Sequence, residues 1–115
     1  MIKDTYSRGL ILGLAAALVV TSSFAQAAGD ITAGRKVMVQ CQACHGKDGL
    51  SRQSYTPNIA GQKYEYLLHA LMAYKAGERK SKMMSTVTKN LSQEDIANAA
   101  AYYAAIKIIV EVPKE

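Results

Sequence analysis

Residues 41–45 read Cys41-Gln42-Ala43-Cys44-His45. Two thiols three positions apart at a helix end reach neighbouring points on one rigid, planar ligand. The imidazole next to them is then carried beneath its centre. A porphyrin meets this requirement: the thiols add to two vinyl groups as thioethers, and His45 becomes an axial ligand of the iron. Other uses of the same residues account for less. A thioredoxin-like redox pair needs its cysteines at the end of a strand in a βαβ setting, and no alternating apolar run precedes them here. Structural zinc needs four ligands, and the chain offers Cys41, Cys44, His45 and His69, two of them sequence neighbours. A plain disulfide would leave His45 and the long flanking loops without a role. The motif reads as the attachment point of one c-type haem, and the fold has to wrap around it.

Outward from the motif the pattern is helix and loop, with no run of period two long enough to support a strand. A first helix is expected over about 31–41, with Asp30 as N-cap and Val37, Met38 and Cys41 on one side. A second is expected over about 62–76, where Tyr64, Leu67, Leu68, Leu71 and Tyr74 follow helical spacing and Gly77 stands at the C-cap. The third begins at a capping box of Ser92 and Asp95 and carries Ile96, Ala99, Ala100, Tyr103 and Ile106 up to about Ile109, before Pro113. Residues 45–61 and 78–91 are left as long loops, and loops of that length in a small domain are usually functional or wrapped around something. The expected class is all-α: three main helices and long loops around one haem.

The amino terminus carries Lys3 and Arg8, then the uncharged run GLILGLAAALVV over 9–20, then small polar residues up to Ala25-Gln26-Ala27. That is the layout of a secretory signal peptide cut after Ala27, leaving residues 28–115 as the mature domain. The competing reading is an uncleaved membrane anchor, which Thr21, Ser22, Ser23 and Gln26 dilute. The chain has 115 residues, one Phe and no Trp, and 14 Lys and Arg against 9 Asp and Glu, for a formal charge of +5. Once the leader is removed, burial only narrowly exceeds chain entropy, and a domain of that size commonly needs a staple. Cys41 and Cys44 lie too close together to cross-link distant segments, so a large bound cofactor fills the need. Nucleic-acid binding is disfavoured, because the basic residues are scattered rather than striped with aromatics.

The chain resembles the class I c-type cytochromes, in particular the small single-haem electron carriers of the bacterial periplasm. Beyond CQACHG, the resemblance is carried by PNIAGQ (57–62), YKAGERK (74–80) and MMSTVTKNLSQEDIANAAAYYA (83–104). One motif implies one haem c, held through Cys41 and Cys44, although some relatives carry two such domains in tandem. The resemblance also implies that His45 is the proximal ligand and that the Pro57 carbonyl takes its other ring nitrogen. It pairs Gly34 with Tyr102 where the first and last helices cross. Val37 stands where an aromatic is common, and the apolar tail IKIIVEVPKE is longer than the pattern. For the sixth ligand it places the methionine six residues before Asn90, at Met84. In an extended loop adjacent side chains point apart, so Met83 would lie beside the haem or at its edge.

With histidine and methionine on both axial positions the iron has no open site, and the implied function is one-electron transfer rather than catalysis. The alternatives are a haem c subunit of a larger dehydrogenase or oxidase, and an open-site sensor or peroxidase-like protein. His69 falls near the edge of its helix's apolar stripe, which favours a surface or packing role over ligation. Lys47, Arg52, Lys63, Arg79, Lys80, Lys82 and Lys89 flank the haem segments and form either a rim that steers an acidic redox partner or an ordinary solvated surface. The expected setting is the periplasm, as a monomer or as a subunit of a redox complex, without membrane insertion after signal cleavage.

Overall fold

The computed structural model describes residues 28–114, so the leader expected over 1–27 lies outside the described residues. The described chain is helical, with elements α1 (Ile31–Val37), a 3-10 turn (Met38–Gln40), α2 (Gln42–His45), α3 (Tyr64–Ala76), α4 (Lys82–Lys89) and α5 (Gln93–Ala104). No strand occurs among the described residues.

The three expected helices are present, with revised ends. Asp30 caps α1, its side chain accepting from the Ala33 N–H at 2.6 Å. The single helix expected over 31–41 is divided. After Val37 the backbone tightens, and the Cys41 N–H donates to the Met38 carbonyl at 2.8 Å. Val37 precedes this turn and Val39 lies within it, and β-branched side chains lose rotamer freedom in a helix. The tightening accompanies a change of face, with Met38 buried and Val39 left 57% exposed.

α3 starts at Tyr64 rather than Gln62 and ends as expected on Gly77, whose backbone is left-handed and whose N–H donates the closing bonds to the Ala73 and Tyr74 carbonyls. The capping box of α5 is complete. Ser92 Oγ accepts from the Asp95 N–H at 3.0 Å, and the Ser92 N–H donates to Asp95 Oδ2 at 2.9 Å. That second bond is the main reason the Asp95 carboxyl sits below the usual carboxylate range. α5 stops at Ala104, short of the expected Ile109. Ile106 still packs on the core, Ile108 lies against Gly61 but stays 53% exposed, and Ile109 is 95% exposed.

The larger correction concerns 78–91, read from sequence as a loop. It contains α4, started by Ser81, whose hydroxyl accepts from the Met84 N–H. Met83 and Met84 therefore stand about 100° apart on one helical turn rather than on opposite sides of an extended chain.

The core forms where α1 and α3 pack on α5. Val37, Leu91, Ile96 and Ala99 make one buried cluster, and Met38, Leu67, Ala100 and Tyr103 make the other. Burying a side chain the size of Ile96, which is fully buried, contributes about 1.5–3 kcal/mol. The α1–α5 crossing is close enough that a Cβ on Gly34 would run into the Asn98 carbonyl and stand 2.8 Å from the Tyr102 Cβ. The Gly34–Tyr102 pairing expected from resemblance is therefore present. Asn98, buried at the same crossing, accepts from the Asp30 N–H at 2.7 Å and fixes the start of α1.

Candidate haem-attachment site

Cys41 is the N-cap of α2, and Cys44 and His45 end that single turn. The Cys44 and His45 N–H groups both donate back to the Cys41 carbonyl, at 3.2 and 3.0 Å, so the two thiols lie one turn apart on one side. Gly46 follows with φ +80°, where a Cβ would stand 2.5 Å from the Leu50 carbonyl oxygen. The chain can turn away from His45 at this point because the residue is glycine.

His45 is 8% exposed, and its Nδ1 lies 2.9 Å from the Pro57 carbonyl oxygen. A carbonyl only accepts, so Nδ1 carries the proton and Nε2 carries the lone pair. The loop between them is folded back to make this contact. The Ser51 hydroxyl donates to the Cys44 carbonyl at 2.9 Å, and the Asn58 side chain accepts from the Ser51 N–H at 2.7 Å. The Ile59 and Ala60 N–H groups both donate to the Gly49 carbonyl. Two tyrosines of α5 tie down the turn beyond His45. The Tyr103 hydroxyl donates to the Gly46 carbonyl at 3.3 Å, and that of Tyr102 to the Lys47 carbonyl at 3.1 Å. Nothing in the sequence reading pointed to these two bonds, which join residues more than fifty positions apart.

Cys41 and Cys44 are half-buried and not joined to each other. Burial pushes the unattached Cys41 thiol up to about 11, the opposite direction from the lowered thiol of a redox pair. Among the described residues no three His, Cys, Asp or Glu side chains converge to hold a metal ion. A cleft of about 460 Å³ opens beside Cys44, lined by Gln42, Lys47, Leu50 and Arg52 among others; neither His45 nor Met84 lines it.

The two methionines are not equivalent. Met83 is 65% exposed and Met84 is half-buried. Both backbone polar groups of Met84 are tied: its N–H donates to Ser81 Oγ at 3.3 Å, and its carbonyl accepts from Thr88 Oγ1 at 2.8 Å. Thr88 is fully buried. Lys75 reaches across from α3, its Nζ donating to the Lys89 and Leu91 carbonyls at 2.9 and 2.6 Å. His69 is exposed on α3. The seven basic residues singled out from sequence are all exposed, and Arg79 lies 4.8 Å over the Tyr74 ring with Nη1 donating to the Tyr66 hydroxyl.

Residues 29–102 match the family model described as cytochrome c oxidase, cbb3-type, subunit III. The chain is 42% identical over 81 residues to cytochrome c-554(548) of Halomonas halodenitrificans, a match covering 68% of this chain and 98% of that protein. This chain is a class I c-type cytochrome. Cytochrome c4 of Pseudomonas aeruginosa is 41% identical over 88% of this cytochrome and 50% of its own length. The crystal structure of reduced recombinant cytochrome c4 from Pseudomonas stutzeri superposes with a TM-score of 0.66 at 38% identity, over 70% of this cytochrome and 47% of that chain. The cytochrome thus spans about half the length of the cytochromes c4 it matches. Haem c is the cofactor of the family, and Cys41 and Cys44 fit its covalent attachment motif. The donor set fits iron in a porphyrin as well: two thiols one turn apart, an imidazole presenting Nε2, and a thioether on α4.

Proposed function

We propose that this cytochrome is a one-electron carrier of the periplasm, with His45 and Met84 as axial ligands and redox proteins as its partners. The carrying observation is the His45 ring, 8% exposed with its Nδ1 2.9 Å from the Pro57 carbonyl oxygen, which aims the other ring nitrogen away from the loop as a ligating histidine requires.

When bound, the haem supplies a ferric–ferrous couple. His45, its Nδ1–H held by Pro57, would present Nε2 in a fixed tautomer and orientation, the usual device behind a ligating histidine. Met84 would contribute a soft thioether, which favours the ferrous state and raises the potential. The exposed basic residues would draw an acidic partner, so the electron-transfer rate is expected to fall steeply with salt. A rate flat across ionic strength removes the steering role.

Carbon monoxide added to the reduced protein tests the reading directly. A six-coordinate His/Met iron binds it slowly or incompletely, whereas rapid, complete binding points to an open-site sensor or enzyme. The description of the matching family model favours a second reading, a haem subunit held in an oxidase. Size exclusion of a native extract separates a free carrier from such a subunit.

A further inference from the structure

Beyond Ala104 the chain leaves the helices and continues as Ile106-Lys107-Ile108-Ile109-Val110-Glu111-Val112, followed by Pro113. Its base is anchored: Ile106 packs on the core, and Ile108 lies against Gly61. The remainder is open, with Ile109 95%, Val110 73% and Val112 80% exposed. Among the described residues, no backbone group of 107–112 bonds another backbone group. β-branched side chains on a segment with free N–H and C=O groups form a template for strand pairing.

The two charges of the segment select the partner. Antiparallel pairing of two copies about Ile109 sets Lys107 opposite Glu111 twice, by symmetry. It also sets Ile108 opposite Val110 and Ile106 opposite Val112. A slip of one residue either way puts every charge opposite an apolar side chain. Parallel pairing in register puts lysine on lysine and glutamate on glutamate, which is destabilising. Pro113 has no N–H to donate and closes the ladder. Seven paired residues at about 3.4 Å each hold the two anchored ends roughly 20 Å apart, so the two bodies lie at opposite ends of the ribbon. We propose that residues 106–112 are a self-recognition strand, through which two copies of this cytochrome associate as an antiparallel dimer with two-fold symmetry. The pairing is independent of which methionine ligates the iron.

Sedimentation velocity of the purified holoprotein over a concentration series tests it. The unaltered protein is expected to dimerise reversibly. Lys107→Glu and Glu111→Lys each turn two attractive pairs into two repulsive ones and should weaken association by about tenfold or more. Mixed in equal amounts, the two single variants should dimerise again, since one strand is then acidic and the other basic. The double variant K107E/E111K should regain the dimer by itself. Haem absorption should be unchanged throughout, which excludes misfolding. A protein that stays monomeric at every concentration overturns the proposal, as does a dimer indifferent to both reversals or a mixture that remains monomeric. Flotation of a monomeric protein with zwitterionic lipid vesicles also overturns it, and assigns the segment to a membrane surface.

Discussion

Around His45, side chains from separate parts of the chain converge on one turn, whereas α4, which carries Met84, rests on α3 and keeps its hydrogen bonds largely within itself. The His45 turn receives the Pro57 carbonyl, the Ser51 hydroxyl and two tyrosine hydroxyls from α5. α4 has Ser81 at its start and Thr88 within it, and one long-range tie, from Lys75 to the carbonyls at its far end. Eight residues of isolated helix have little stability of their own. The contrast teaches that the two sides of a haem site are specified differently. The attachment side is over-determined by tertiary bonds, and under the proposed Met84 ligation the opposite side is set by a short element whose position depends on what it packs against.

Removing Met84 is expected to have the largest effect. Met84→Ala should abolish the weak near-infrared sulfur-to-iron band of the oxidised protein and admit carbon monoxide to the reduced one. It should also lower the potential by a sizeable share of the ~0.8 V that axial ligands span. Met83→Ala, at an exposed position one turn-step away, should leave all three nearly unchanged. The reverse result moves the ligand to Met83, and a band intact in both variants places it elsewhere.

Next in size is an insult to the scaffold beneath the attachment side. Gly34→Ala places a Cβ against the Asn98 carbonyl and the Tyr102 Cβ, and overpacking of this kind costs about 1–3 kcal/mol. Both obstacles belong to α5, a backbone and a β-carbon, so neither can swing away. Denaturant unfolding should show the loss, with the near-infrared band retained in the fraction still folded. A variant as stable as the parent would mean that the two helices part without cost.

These regions also differ in how far they could be read from the amino acids. CQACH is local chemistry: five adjacent positions spell the attachment motif, so no tertiary information is needed to recognise it. α5 was legible for a similar reason, since Ser92 and Asp95 mark its start and Ile96, Ala99, Ala100 and Tyr103 keep helical spacing. α4 was not. Its middle, Ser85 to Thr88, is made of residues with weak helical preference, and the run is too short for periodicity to stand out. The usable signals were Ser81 as a cap and the spacing of Met84, Val87, Thr88 and Leu91 at i, i+3, i+4 and i+7. The far end of α5 was overextended because Ile106, Ile108 and Ile109 continue an apolar pattern with no glycine or proline to stop it. What stops it is how little lies beyond Ile106 to bury against, which depends on the assembled fold. The targets of the two tyrosine hydroxyls are set in the same way.

If α4 depends on its internal bonds, Thr88 is the residue through which to loosen it. Thr88→Val keeps shape and volume but cannot donate to the Met84 carbonyl, a loss of about 0.5–1.5 kcal/mol. The expected sign is a lower temperature for loss of the near-infrared band, and faster carbon monoxide binding, at unchanged absorption of the attached haem. Thr88→Ser restores the donor and should recover most of the ligation while losing some packing. Equal behaviour of the two variants would show that the methyl group, not the hydroxyl, matters.

The smallest effect is expected where bonds are most numerous. Tyr103 is 2% exposed and its hydroxyl donates to the Gly46 carbonyl at 3.3 Å. Tyr103→Phe removes one long bond from a turn that keeps Tyr102, Ser51 and Pro57, so the near-infrared band and the potential should barely move. The hydroxyl should instead declare itself in alkali. Burial, more than any neighbouring charge, pushes the Tyr103 phenol well above its usual 10.0. Its folded pKa is therefore raised, and below pH 10 both folded and unfolded chains hold the proton and no pH dependence arises. As pH rises past 10, the unfolded chain releases that proton while the folded chain keeps it, so stability falls with increasing pH. Denaturant midpoints measured from neutral pH to beyond 10 should decline in the parent protein, and Tyr103→Phe should remove part of that slope. An identical alkaline slope in both proteins would mean that the phenol ionises in place without unfolding the chain, and that the Gly46 turn holds without it.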